Sequence, residues 1–278
     1  MEEIGKEVAQ VKPTSSLRTT LAHLYHTHEG FVIGFCSVMS FLVAWESIVK
    51  LGFVNPLFLA APTQILSSIL ELSQTRLWED IYVSGTEFLV GFIISVVVGI
   101  PFGLWVGWNR KTFYAVNPFL AGLYATPRIA LLPLLIIWVG IGIWSKVLMV
   151  FLGAIFPIVM STMAGVRSAD QSLLRVAQTF GASDLHLFRT IILPGSVPFV
   201  VAGLRLGFGR AILSVIVAEF YVSTRGLGNL ISYAGETFQT SQAFAAIVIV
   251  AFFGLLGSVA LERLESRFDR WRAPSQQG

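Results

Sequence analysis

The chain has 278 residues, of which 55% are hydrophobic and 13% charged, and its mean hydropathy is +0.75. Soluble domains carry about 25% charge, so there is too little polar surface to coat a water-soluble globule; a soluble enzyme, a disordered chain and a disulfide scaffold are excluded. The net charge of +3 comes from basic residues scattered in short connections, which gives no footprint for nucleic acid.

About 20 consecutive apolar residues cross a bilayer as a helix, and six runs meet that requirement. They are Phe31–Val49, Ile81–Trp108, Phe113 to about Gly140, Val147–Val166, Val197–Val222 and Ala243–Leu261. The predicted fold class is therefore all-α and polytopic, with a 1–30 N-terminal segment, a 31–265 six-span domain and a 266–278 tail. An even span count places both termini on one side. With that side cytoplasmic, the inner segments hold twelve basic residues (Lys6, Lys12, Arg18, Arg110, Lys111, Arg167, Arg175, Arg189, Arg263, Arg267, Arg270, Arg272). The outer ones hold four, Lys50, Arg76, Lys146 and Arg225. Basic residues favour the cytoplasmic face, so both ends are expected there and the localisation is the cytoplasmic membrane.

A largely polar thirty-residue segment containing Glu2, Glu3 and Glu7 precedes the first run, and no small-residue cleavage site follows it. It reads as a retained anchor rather than a signal peptide. Cys36, the single cysteine, lies inside this run, so no intrachain disulfide forms. His23, His26 and His28 fit no tight zinc spacing, and no metal site is expected. On the outer side, Pro62 opens an amphipathic stretch to Leu72, with Ile65, Leu66, Ile69, Leu70 and Leu72 nearly on one face. The other outer connection, Ser223–Gln242, contains Gly226-Leu227-Gly228, whose glycines permit tight turns.

Ionisable groups inside a bilayer cost about 2.5–3.5 kcal/mol each and face a cavity or one another. The span candidates are Glu46, Glu87, Arg128, Arg205, Arg210 and Glu219. Arg128, between Pro127 and Pro133, sits roughly 22 Å above the start of its span, and Glu87 about 9 Å below the outer surface, at the helical rise. A broken helix presenting an always-charged planar donor suits an anion. Two arrangements stand side by side: Arg128 or Arg210 lines a route for an anionic solute, or Arg128 and Arg210 pair with Glu87 and Glu219 to hold the bundle or close an outer gate. Gly91, Gly99, Pro101, Gly103 and Gly107, with Gly203, Gly207 and Gly209, let helices approach closely and bend.

The cytoplasmic loop 167–195 is patterned rather than a simple connector. Ser168-Ala169-Asp170-Gln171 fits a capping box; Leu173, Leu174, Val176, Ala177 and Phe180 follow at helical spacing, and Gly181 ends the helix. A second helix restarts at Ser183, carries Leu185, Phe188, Ile191 and Ile192 on one side, and stops before Pro194. A helix braced between two spans can pass force from a soluble partner to the bundle.

This loop resembles the motif of ATP-binding-cassette importer permeases, Glu-Ala-Ala, three residues, Gly, nine residues, Ile, one residue, Leu-Pro. Ala177, Gly181, Ile191, Leu193 and Pro194 occupy those spacings, with Arg175 and Val176 in place of the first two residues. Ala61-Pro62-Thr63, Thr126 to Leu134, Trp138 to Gly142, Ala218-Glu219-Phe220 and Gly226-Leu227-Gly228 are similar to the nitrate, sulfonate, taurine and bicarbonate branch. The resemblance covers roughly residues 35–265. It implies a type I importer fold, a second permease copy (homodimer), two cytoplasmic ATP-binding subunits and an extracytoplasmic substrate-binding protein. It also implies coupling to the ATPase through Leu173, Leu174, Arg175, Val176, Ala177, Phe180, Gly181 and Ala182.

No G-x-x-x-x-G-K-[ST] phosphate loop occurs, so the chain is read as a translocation subunit with no cofactor of its own, ATP and Mg belonging to the partner. The expected function is ATP-driven import of a small anion or related organic solute by alternating access. Other classes are an ATPase-independent secondary carrier or channel, for which no inverted repeat is detected, and an intramembrane enzyme. The last would need convergent His, Asp or Cys within spans, whereas all four histidines lie outside them.

Overall fold

The computed structural model describes residues 17–268. Residues 1–16, residues 269–278 of the tail and the side chains of His23, His26 and His28 lie outside the described residues. The chain divides into two compact units at Pro56/Leu57. The first contains helix α1 (Leu17–Lys50), whose Val32–Lys50 stretch is long and apolar enough to cross a membrane. Its intramembrane Glu46 pairs with Lys50 at 2.7 Å, one turn on.

The second unit is a helical bundle centred on α6 (Ile143–Arg167), which is buried along nearly its whole length. It packs chiefly between α3 (Leu77–Trp108) and α9 (Leu193–Val222). The core is apolar and continuous. Val106 and Leu120 meet Ile155, Phe156 and Val159 on one side of α6, while Ala211 and Val215 meet Val150, Ala154 and Ile158 on the other. Close approach sets this geometry. A Cβ added to Gly103 would lie 2.8 Å from the Thr162 Cβ and 2.9 Å from the Val159 carbonyl oxygen, so α3 lies almost backbone to backbone on α6. Gly203 meets Ser161 in the same way, whereas Gly209 faces open space.

The expected spans are present as five long apolar helices, with a sixth broken in two. Their ends reach further than the apolar runs, to Leu77, Ile143 and Thr240, because a helix continues past the hydrophobic window into polar residues. The third span is not one run. Helix α4 (Arg110–Ala125) stops at Thr126, and a 3-10 turn (Arg128–Leu131) leads to the short α5 (Leu132–Val139), bent 91° away. Pro127 forces the change, since the residue before a proline is pushed out of helical conformation, and Thr126 is extended (φ −68°, ψ 132°).

Helix α2 (Pro62–Thr75) begins with proline in its first turn, and the Gln64 side chain accepts the Ala61 amide at 3.0 Å. Its inward residues are Ile65, Ser68 and Leu72, while Leu66 and Leu70 point outward, so the apolar face is narrower than the pattern suggests. At the opposite sequence end, α10 (Leu227–Glu236) and α11 (Thr240–Phe268) pack against α9. Arg205 of α9, the remaining basic span residue, meets Glu265 of α11 at 3.4 Å.

Overpacking a close helix crossing costs about 1–3 kcal/mol. Gly103→Val is therefore expected to lower the thermal unfolding midpoint of the detergent-purified chain. Gly235→Ala, where the added atom meets nothing within 4 Å, should leave the midpoint close to that of the parent.

Candidate functional site

The intramembrane charges sort into two places. At the end of the bundle where α10 begins, Glu219 is fully buried, accepting a hydrogen bond from the Ser84 hydroxyl at 2.6 Å and from the Gly228 amide at 2.6 Å. Ser84 in turn accepts the Leu227 amide at 2.8 Å, and Asp80 accepts the Gly226 amide at 2.8 Å. Carboxylates and a hydroxyl from α3 and α9 thus answer the exposed amides at the start of α10, which Gly226 cannot cap for want of a side chain. Gly226 is required there. Its φ is +115°, and a Cβ would lie 2.3 Å from a Glu219 carboxyl oxygen. Arg76 closes the cluster, holding Asp80 at 2.6 Å and Asn229 at 3.3 Å.

Glu87, buried on α3, forms an ion pair with Lys146 of α6. Lys146 also donates to the Ser223 hydroxyl at 3.0 Å. Glu87 lies ten residues into α3, roughly 15 Å from its start at the helical rise, deeper than a span beginning at Ile81 implies. Lys146, read from the sequence as an outer-loop residue, is instead inside the fold with 6% of its surface exposed. Its position one turn into a span facing Glu87 was the available signal, but a lone lysine at the edge of an apolar run reads as a loop boundary.

The pairing of Arg128 and Arg210 with Glu87 and Glu219 is accordingly not formed; both acids have other partners. The arginines meet elsewhere, on the walls of a cavity of about 260 Å³ beside the break between α4 and α5. Arg128 donates from Nη1 to the Gly153 carbonyl at 3.2 Å, and its guanidinium lies 5.2 Å and 5.5 Å from the ring centres of Tyr124 and Phe156. Arg210 enters from α9 and lines the same cavity. Among the described residues neither has a carboxylate partner.

The 167–195 loop forms at the other end of the bundle. Helix α7 (Gln171–Thr179) starts two residues later than a Ser168 cap would give. Asp170 is the cap, accepting the Ser172 amide at 2.7 Å, while the Ser168 hydroxyl donates to Gly165 at 2.8 Å and finishes α6. The Ser172 hydroxyl and amide hold the Asp170 carboxyl below the ordinary carboxylate range. Gly181 has φ +79°, its amide donates to Gln178, and the Ala182 amide donates to Ala177. This is a Schellman ending, so the motif alanine and glycine are two ends of one hydrogen-bonded turn. Leu173 and Val176 are half uncovered, and Phe180 at the tip is 87% exposed.

Ser183 caps α8 (Asp184–Leu187) by accepting the His186 amide. The chain does not stop before Pro194. A π-helical segment, Phe188–Ile192, carries it into α9, and Leu193 bonds back to Phe188. This wider turn accommodates the proline, which has no N–H to donate. Phe188 stacks edge-on against Trp108 at 5.5 Å, bracing the loop on α3.

Residues 99–271 match the family described as binding-protein-dependent transport system inner membrane component. The chain belongs to that family. The permease is 33% identical over 241 residues to the taurine transport system permease protein TauC of Escherichia coli (strain K12), a match covering 84% of this chain and 88% of TauC. It is 31% identical to the putative aliphatic sulfonates transport permease protein SsuC of Bacillus subtilis (strain 168), covering 87% of this chain and 88% of that protein. Its fold matches a chain of the inward-facing MetNI methionine ABC transporter with a TM-score of 0.61 at 18% identity, covering 69% of this chain and 95% of that one.

The chain is thus a multi-pass transport subunit of an ATP-binding-cassette importer and not an enzyme. ATP hydrolysis resides in a separate subunit, and importers of this kind work with a substrate-binding protein. The structure turns two of the permease's sequence segments, Ala218-Glu219-Phe220 and Gly226-Leu227-Gly228, into one interlocked cluster.

Removing one partner of a buried ion pair costs about 3–5 kcal/mol, whereas replacing both by apolar residues is often neutral. Lys146→Met is expected to lower the unfolding midpoint of the purified permease sharply, and Lys146→Met combined with Glu87→Met to recover most of the loss. The double-mutant cycle in thermal unfolding measures the coupling.

Proposed function

We propose that the permease pairs with a second copy of itself and with two cytoplasmic ATP-binding subunits, and moves a small organic anion delivered by an extracytoplasmic binding protein. The taurine and sulfonate functions named for its relatives support this solute class. Both termini lie on the cytoplasmic side, as the distribution of basic residues favours, twelve inner against Lys50, Arg76 and Arg225 once Lys146 is counted inside the fold. The face next to the broken span, where Ile137, Trp138 and Ile141 are uncovered, is assigned to the second copy. The chain holds no cofactor; ATP and Mg act in the partner.

One observation carries the coupling role. A short amphipathic helix presents half-uncovered Leu173 and Val176, with Phe180 exposed at its tip, and is capped at both ends. An apolar tip on a rigid stalk suits insertion into a groove of a soluble subunit. Closure of the ATP-binding subunits then shifts the loop, and the shift reaches the bundle through the continuous Asp184–Val222 rod. Differential docking between the closed and open ATPase supplies the bias between inward and outward states.

Gly181 tests this directly. Its left-handed backbone tolerates glycine and asparagine but is strained by a β-branched side chain. In vesicles reconstituted with the ATP-binding subunit and the binding protein, Gly181→Val is expected to cut ATP-dependent uptake at least tenfold at unchanged membrane yield, and Gly181→Asn to retain most of it. Solute accumulation by vesicles carrying the permease alone would refute the assignment.

A further inference from the structure

Of the six ionisable residues that the apolar runs enclose, four have an ion pair or buried hydrogen bonds within the chain. Glu46 has Lys50, Glu87 has Lys146, Arg205 has Glu265, and Glu219 has Ser84 and Gly228. Arg128 and Arg210 are the exceptions, and both line the same cavity. Two positive charges lining one cavity repel each other, and an anion between them is the group that relieves both.

The other polar lining narrows the ligand. The Thr126 hydroxyl donates to the Gly122 carbonyl at 3.0 Å, and the Ser214 hydroxyl to the Arg210 carbonyl at 2.8 Å, so both are engaged with backbone. What remains to donate is the Tyr124 phenol and two guanidinium forks, and the Thr126 and Ser214 oxygens can only accept. The charged guanidinium donors outnumber these neutral oxygens, which favours an anion over a neutral polyol. The rest of the wall, including Ile129, Met149, Leu213 and Val217, is apolar and matches a short alkyl chain. At about 260 Å³ the cavity is smaller than the usual pocket for a drug-sized ligand, about 300–1,000 Å³.

The two arginines are not equivalent. Arg128 is fixed by the Gly153 carbonyl and by Tyr124 and Phe156, leaving the rest of its donor fork for a ligand. Arg210 has no such tether and stands exposed on α9. We propose that this cavity is an oxyanion site within the membrane, taking the single sulfonate-type head group of a short organic anion, with Arg128 as the fixed donor and Arg210 as the mobile charge. The proposal rests on the reading of the chain as an anion importer and adds the place and chemistry of recognition inside the permease. It divides the four ionisable candidates, giving Arg128 and Arg210 to the solute and Glu87 and Glu219 to the architecture.

The test needs neither the ATPase nor the binding protein, so its failure is separable from failure of the coupling assignment. In full-length permease with Cys36→Ser, single cysteines are placed on the two walls, Thr126→Cys beside Arg128 and Leu213→Cys one turn from Arg210. In phosphatidylcholine vesicles, the rate of labelling by the anionic sulfonatoethyl methanethiosulfonate is compared with that by its cationic trimethylammonium counterpart. Both cysteines are expected to prefer the anionic reagent. Arg210→Gln should reduce that preference at least tenfold, while Arg128→Lys, which keeps the charge but not the ring contacts, should reduce it less. Ethanesulfonate should protect both cysteines in the parent and not in Arg210→Gln. Equal rates for the two reagents, or a preference that survives Arg210→Gln, would overturn the proposal. Protection by added phosphatidylglycerol equal to that by ethanesulfonate would also overturn it, by making the cavity a lipid head-group site.

Discussion

A polar group inside a bilayer has no water to turn to, so the chain must answer it from its own atoms. Glu219 meets that constraint most fully. Its two carboxyl oxygens take the Ser84 hydroxyl and the Gly228 amide, which ties α9 to α3 and to the first turn of α10 in one place. The requirement is mutual: the carboxylate needs donors, and the start of α10 needs acceptors that a glycine cannot supply. With Asp80 and Ser84 taking the neighbouring amides, the cluster sets the register of three helices without any ligand. It also consumes the acids. The two arginines beside the broken span are left to face a cavity because the buried carboxylates of α3 and α9 are engaged elsewhere.

Much of this architecture is legible in the sequence, and the parts that are not fail for identifiable reasons. Apolar runs locate the spans because only a helix satisfies its own backbone in lipid. The same signal cannot see the bend after Ala125, since the segments on both sides of Pro127 pass together as one span; direction is not encoded in hydropathy. The loop helix was readable from its period and from Gly181, but its start was not. Ser168 and Asp170 are both good capping residues, and α6 uses the first of them for its own end. Pro194 signals a stop in an ideal α-helix, and a π turn removes the conflict. Pairing is the least legible level. Which base meets Glu87 depends on how α3 and α6 are rotated about each other, and that rotation is set by glycine contacts such as Gly103 on Thr162.

The division of labour along the molecule follows from these contacts. The closely packed α3, α6 and α9 form a stiff centre, with small residues at the crossings and charges neutralised internally. Among the described residues, the least covered features lie at the margins: the tip at Phe180 and the arginine-lined hollow beside the broken span. A rigid core with incomplete edges suits a subunit that functions only in an assembly. The Arg175 and Val176 departures from the importer loop motif fall on α7, while the Schellman turn that gives the motif its shape is intact.

The π segment at Phe188–Ile192 has a consequence for everything beyond it. From Asp184 to Val222 the chain runs as one rod of 39 residues, about 58 Å at the helical rise, nearly twice the hydrocarbon thickness of about 30 Å. Along it lie the brace to Trp108, then Arg210, then Glu219. Each residue turns an α-helix by about 100°, so shortening this wide turn by one position while the loop stays seated would swing Arg210 and Glu219 together to a different azimuth. The angular phase between the loop and the buried polar groups is therefore keyed by a single irregular turn, which works as the indexing pin of the shaft.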